Sequence, residues 1–283
     1  MESPTSLLVG SRSAVGPRPR PAWPRAAATA FPSGVPERPL PLSTEDEMAP
    51  SFVGVGVGPG DPDLMTTRAL RTLRGADRVF APAMSADVEG RAESTVRQAV
   101  PDVAVERLVF AIGDDDDARD LAHDHAATRI VECLDAGEQV AFVTLGDPNI
   151  YSTFHHLAAL VAGRRAETEV GTVPGIMAFQ ELAACAGVVV TDGVERLAVV
   201  SAVDGAEGIA DAIAAPATAI VVYKGGRHVP EIAARLERAG RLEGAVLGEL
   251  LGLPGERVGP LAELGQAPAS YLATVIVPPA ARS

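Results

Sequence analysis

Three segments of this sequence carry residues whose type and spacing could do chemistry. They are Gly54-Val55-Gly56-Val57-Gly58-Pro59-Gly60-Asp61, the stretch Thr144 to Phe154 around Gly146-Asp147-Pro148, and Val173-Pro174-Gly175-Ile176-Met177-Ala178. Each follows a run of Val, Leu or Phe that reads as a strand, and open α/β sheets bind ligands at the carboxyl ends of their strands. Glycines there let backbone approach a ligand closely. Asp147 precedes a proline and is held extended, so its carboxylate can accept hydrogen bonds. Each segment also has a plainer reading, a tight turn for the first and helix capping by Asp147 or Ser152 for the second. Three such strand ends in series describe a crevice.

The first segment invites a dinucleotide reading, with Asp77 standing about where a ribose ligand would. No frame gives GxGxxG, however: from Gly54 the sixth position is Pro59, and from Gly56 it is Asp61. Pro59 also removes a donor that a phosphate cradle could use. An NAD-dependent oxidoreductase is therefore the rival reading from another class, and a non-catalytic nucleotide-binding module is a second.

Other reactive side chains are scattered. Cys133 and Cys185 show no metal spacing and fall in Ala- and Leu-rich stretches, which predicts buried structural thiols in a reducing, cytoplasmic setting. The run Asp114 to Asp117 suits a solvated helix start better than a metal, and no metal site is expected. His155 and His156 fall on a predicted helix. Lys224, Arg227 and His228 follow a strand end, and Arg164 and Arg165 form a second basic pair.

The elements that must position these groups alternate. Strands are predicted over Phe52–Val57, Arg78–Phe80, Val103–Phe110, Gln139–Leu145, Glu169–Val173, Leu197–Val203, Ala219–Tyr223, Ala245–Leu250 and Tyr271–Val277. Helices are predicted after Thr66 or Thr67, which can cap the first, then from Asp114, Ser152, Ile176, Ala206 and Val229. The long helix from Asp114 to near Gly137 is expected to turn Leu121, Ala122, Ile130, Val131 and Leu134 inward. Such alternation predicts an α/β fold with largely parallel sheets. The length of 283 residues suits two smaller sheets with a cleft between them. Residues 1–47, rich in Pro, Arg and Ser, read as a disordered tail or as sequence ahead of a true start at Met48. Residues 48–175 then form an N-terminal α/β domain and 176–283 a C-terminal one. A net charge of -13 argues against a nucleic-acid or anionic-membrane partner, and no apolar run reaches membrane-spanning length.

The strings GVGPGDPDLMTTRAL, ADRVFAP, GDPNIYSTF, VPGIMAFQELAACAG and VVYKGG stand in the order seen in the tetrapyrrole (corrin/porphyrin) methylases. The resemblance runs from about Phe52 to Val277. Within the family, GDPNIYSTF resembles most the branch that methylates C20 of precorrin-2, with or without cobalt. Other corrin-ring methylases are the near alternative, and a protein-modifying methylase such as diphthine synthase is a more distant one. The resemblance implies two α/β domains, a homodimer, a tetrapyrrole substrate of the precorrin-2 type, and S-adenosyl-L-methionine in the cleft between domains. It also implies that Pro59, Gly146, Asp147, Ile150, Met177, Ala178, Tyr223 and Lys224 border the cofactor, with Tyr271 to Ala273 closing the site. Met177 and Ala178 stand where many relatives carry small hydroxyl residues, so backbone contacts are expected there. Methyl transfer from a sulfonium needs no metal and no nucleophilic side chain, only alignment and exclusion of water. A base for the ring proton could be His155, His156, Asp147, Glu181 or water. The carboxylates of the substrate would meet Lys224, Arg227 and His228 first, then Arg164 and Arg165.

Overall fold

The computed structural model describes residues 51–110 and 116–280. The segment 1–47, Met48, and Asp114 and Asp115 of the acidic run lie outside the described residues; Asp117 is exposed.

The first half of the chain builds one parallel sheet. Its strands are β1 (Ser51–Gly56), β2 (Arg78–Ala83), β3 (Val105–Val109), β4 (Val140–Thr144) and β5 (Glu169–Val173), in the order β3-β2-β4-β1-β5. Each connection is a helix, as parallel pairing requires: α1 (Thr67–Gly75), α2 (Arg91–Ala99), α3 (Asp116–Asp135) and α4 (Phe154–Arg164). Thr66 caps α1, its hydroxyl accepting the Ala69 N–H at 3.1 Å. Strands covered on both faces read as continuous apolar runs. Val53, Val55, Ala141 and Val143 pack against Ala69, Leu73, Ala92 and Val96 on one side. Phe52, Phe80, Val140 and Phe142 pack against Ile130, Leu134, Phe154 and Leu157 on the other. Gly54 is glycine for this reason, since a Cβ there would stand 2.7 Å from the Phe154 ring.

The chain then passes through α5 (Ala178–Ala186) into a second sheet. Its strands are β6 (Arg196–Ser201), β7 (Thr218–Tyr223), β8 (Val246–Glu249), β9 (Arg257–Pro260) and β10 (Thr274–Val277), in the order β6-β7-β10-β8-β9. Short α6 (Ala210–Ile213), α7 (Val229–Arg238) and short α8 (Leu261–Leu264) complete it. Ile232 and Leu236 of α7 cover one face, and Leu182 of α5 covers the other.

Several expectations need correction here. Only β6 and β7 pair in parallel in the second sheet; β7–β10, β10–β8 and β8–β9 are antiparallel. The loop 250–256 is too short for a crossover, so β9 must turn back on β8. Three elements had no sequence reading, α2, β9 and the short α8. Leu121 is exposed, because it lies nine residues from Ile130, which at about 100° per residue is half a turn off the buried stripe. Cys133 is buried as expected, whereas Cys185 is exposed on the outer side of α5.

Candidate active site

The loops after β1, β4 and β5 meet because these three strands are adjacent. Gly146 donates its N–H to the Gly58 carbonyl at 2.8 Å, and Val57 donates to Thr144 at 3.0 Å. The three loops touch backbone to backbone: a Cβ on Gly175 would stand 2.0 Å from the Gly146 oxygen, and one on Gly56 2.5 Å from it. The glycines of β1 therefore serve loop packing rather than a phosphate cradle. Asp77, the ribose candidate, lies at the amino end of β2 and accepts the Gln139 N–H at 2.8 Å. It sits at the wrong edge of the sheet for the dinucleotide reading.

Between the two sheets lies a cavity of about 690 Å³, part of it open to solvent. That is within the usual range for small-molecule sites, roughly 300–1,000 Å³. Of the candidate cofactor residues, Pro59, Gly146, Ile150, Met177, Ala178, Tyr223 and Lys224 line it. Asp147 does not. The residue is 9% exposed, and its carboxylate accepts Asn149 N–H at 2.8 Å and Gly175 N–H at 3.1 Å. Of the closing segment Tyr271 to Ala273, Leu272 reaches the wall. Residues that sequence reading passed over include Arg91, Tyr151, Leu250, Leu251, Leu253 and Thr274. Tyr151 lies in the Gly146-Asp147-Pro148 segment but was not singled out there, and no local motif marks the others, which come from α2, the loop after β8 and strand β10.

Tyr151, Lys224 and Leu250 have φ of 51°, 57° and 56°, and they are the non-glycine residues with positive φ among those described. All three line this cavity. Such backbone is held at a cost and gathers at functional sites. Tyr223 is oriented by its hydroxyl, which accepts the Phe179 N–H at 3.1 Å at the start of α5. Burial pushes its pKa up to about 12, so it stays a neutral phenol. Tyr151 donates to the Val199 carbonyl at 3.1 Å, and the Lys224 ammonium lies 5.9 Å from its ring centroid. Burial draws the Lys224 pKa down.

Tyr151 and Lys224 also border a wider polar trough of about 1340 Å³, lined by Arg119, His123, His155 and His156 from α3 and α4. His155 Nδ1 lies 2.7 Å from the Ser152 carbonyl. A carbonyl only accepts, so Nδ1 is the donor in this contact, and the His155 ring stands 3.8 Å from the His156 ring, centroid to centroid. Burial first, then the charges of His155, His123 and Arg119, hold His156 below the usual imidazole range. Of the other proton acceptors considered, Glu181 borders neither cavity and accepts from Cys185 at 3.2 Å. Arg164 is paired with Asp124, and Arg165 with Asp135 at 3.0 Å. Arg227 and His228 line neither cavity.

Fold and cavity together define an α/β protein with a cavity of small-molecule size between its two sheets. Residues 51–265 match the model of the Tetrapyrrole (Corrin/Porphyrin) Methylases. A precorrin-2 C(20)-methyltransferase of Sinorhizobium sp is 32% identical over 236 residues, covering 80% of this chain and 94% of that protein. A cobalt-precorrin-2 C(20)-methyltransferase of Salmonella typhimurium is 32% identical over 204 residues, covering 72% and 84%. The solved structure of a cobalt precorrin-4 methyltransferase matches with a TM-score of 0.63 at 19% identity, over 83% of this chain and 97% of that one, a likeness of fold. This chain belongs to the tetrapyrrole methylase family. It is a methyltransferase, and methylases of this kind use S-adenosylmethionine as methyl donor. Among the described residues no helix is long and apolar enough to cross a membrane.

Proposed function

We propose that this chain methylates C20 of precorrin-2, or of its cobalt-containing form, in cobalamin biosynthesis. In this reading the donor lies in the cavity between the sheets, against Pro59, Gly146, Ile150, Met177, Ala178, Tyr223 and Lys224. The observation that supports the donor's place is that the left-handed residues Tyr151, Lys224 and Leu250 all line that cavity. The C20 reading is supported by the likeness to the two C(20)-methyltransferases. The residues present fit the donor. The wall is mostly apolar, and the buried hydroxyl of Thr274, on β10 within it, has no hydrogen-bond partner in the protein.

S-adenosylmethionine supplies a methyl group already activated on a sulfonium. The leucines around the cavity exclude water, and the three packed loops fix the distance over which the reacting atoms meet. The tetrapyrrole would lie in the trough beyond Tyr151 and Lys224, where Lys224 and Arg119 suit its carboxylates and Asp120 and Asp124 mark the side they avoid. There His155 and His156 are placed to accept the ring proton, and Asp147 is not. We further propose a cytoplasmic homodimer, in which a second copy covers the exposed Val189, Val194 and Leu197 at and before the edge strand β6.

The test is a turnover assay without oxygen, with S-adenosylmethionine and precorrin-2, with and without inserted cobalt, read by mass spectrometry. A gain of one methyl group at C20 on either substrate is expected. No gain with the cofactor bound would overturn the C20 reading and favour another corrin-ring intermediate.

A further inference from the structure

Arg91 is the first residue of α2 and lines the cavity between the sheets. Arginines without an ion pair, such as Arg68, Arg71, Arg74, Arg227 and Arg238, are exposed to solvent, whereas Arg91 is not. Arg97, Arg107, Arg129, Arg165, Arg235 and Arg257 each hold a carboxylate. Among the described residues, none stands within ion-pair distance of Arg91. The acid whose charge reaches it, Glu249, is committed elsewhere: it binds Arg257 at 2.7 Å and accepts the Ser270 N–H. Arg91 is half-buried, and the wall beside it is Leu145, Leu250, Leu251 and Leu253. Burial draws its pKa down, yet a guanidinium remains charged at any ordinary pH.

Its position is fixed rather than incidental. Thr95, one turn along α2 and fully buried, donates to the Gly60 carbonyl at 3.0 Å. That bond ties the start of α2 to the loop after β1. Gly90, just before Arg91, lets the chain pass close over Pro82, where a Cβ would stand 2.5 Å from the Pro82 oxygen. A charged fork is thus held against an apolar cavity with no acid of its own. The group that satisfies it must arrive with a reactant, and the planar fork matches a carboxylate.

We infer that Arg91 is a carboxylate-binding residue of this cavity. The inference rests on the cavity being the methyl-donor site. Two carboxylates could meet it, that of the amino-acid part of the donor or an acid side chain of the tetrapyrrole.

Calorimetry on Arg91→Gln would compare S-adenosylhomocysteine with 5′-methylthioadenosine, which lacks the amino acid. Steady-state rates would give KM and kcat for precorrin-2. If the donor's carboxylate binds Arg91, S-adenosylhomocysteine affinity falls at least about tenfold and 5′-methylthioadenosine affinity does not change. If the ring's carboxylate binds, KM for precorrin-2 rises by about as much while both nucleosides bind as before. Arg91→Lys would recover part of either loss, keeping the charge without the fork. Unchanged values throughout, or an equal loss for both nucleosides, would overturn the inference. A wild-type chain that turns over normally beside that result would leave the proposed function standing; a wild-type chain that binds neither nucleoside would sink both.

Discussion

Asp147 and Gly175 are joined by a hydrogen bond of 3.1 Å, from the Gly175 N–H to the Asp147 carboxylate. It ties the loop after β4 to the turn after β5, while the other carboxylate oxygen holds the Asn149 N–H. Both carboxylate oxygens of Asp147 are thus engaged by the backbone of two loops of the cavity wall. Asp147→Ala removes both acceptors from a buried site, an expected cost of about 2 kcal/mol in stability. S-adenosylhomocysteine affinity should fall about tenfold as the loops part. Asp147→Asn should recover part of both. Denaturant unfolding and calorimetry would check this, and unchanged affinity in the Ala variant would remove the tie from the site.

Gly175→Ala is the steric counterpart. Its Cβ would fall 2.0 Å from the Gly146 oxygen, where neither backbone can yield without moving a loop. A loss of roughly 1–3 kcal/mol is expected from such overpacking. Cofactor binding should be lost beyond that, because Gly146 is itself part of the wall. A variant that binds the donor like the wild type would show that the loops tolerate being pushed apart.

Glu93 provides a pH test on stability. It is a buried carboxylate held by Arg107 at 2.6 Å and Arg97 at 2.7 Å. Burial pushes its pKa up, but the hydrogen bonds from the two arginines outweigh this and hold it below the usual range. The folded state thus binds this proton less readily than the unfolded chain. Its contribution is present above the unfolded pKa of about 4.3 and is lost as pH falls through the lower folded value. Glu93→Gln should lower stability at pH 7, on the order of 3 kcal/mol, and flatten the acid limb of the unfolding curve. Parallel curves for the two proteins would contradict it.

The imidazoles of the trough make a kinetic prediction. The double variant His155→Gln, His156→Gln should lower kcat at least about a hundredfold if they take the ring proton. S-adenosylhomocysteine affinity should not change, since neither residue lines the inner cavity. An unaltered kcat would assign the proton to water.

Much of the fold was legible because its signals are local. The apolar runs at Phe52, Val140 and Thr218 are strands in the structure, and Thr66 caps the helix it precedes. The Gly- and Pro-bearing ends of β1, β4 and β5 do come together, as three motifs in series suggested. Helix α2 was not legible, since Arg91–Ala99 mixes charged and small residues and its buried positions, Ala92, Glu93, Thr95 and Val96, include a carboxylate and a hydroxyl in place of an apolar stripe. Leu121 misled because a leucine in a helix was read without its angle to Ile130.

The sequence by itself determined the alternation of strand and helix, the three glycine-bearing loops at strand ends and the family, because each is written in residues close together along the chain. Only the tertiary structure decided that β10 enters the middle of the second sheet, running against β7 and β8. It alone decided that Asp147 spends its oxygens on backbone and that Arg91 faces a cavity without an acid. These depend on contacts between segments tens to hundreds of residues apart, which no local pattern encodes.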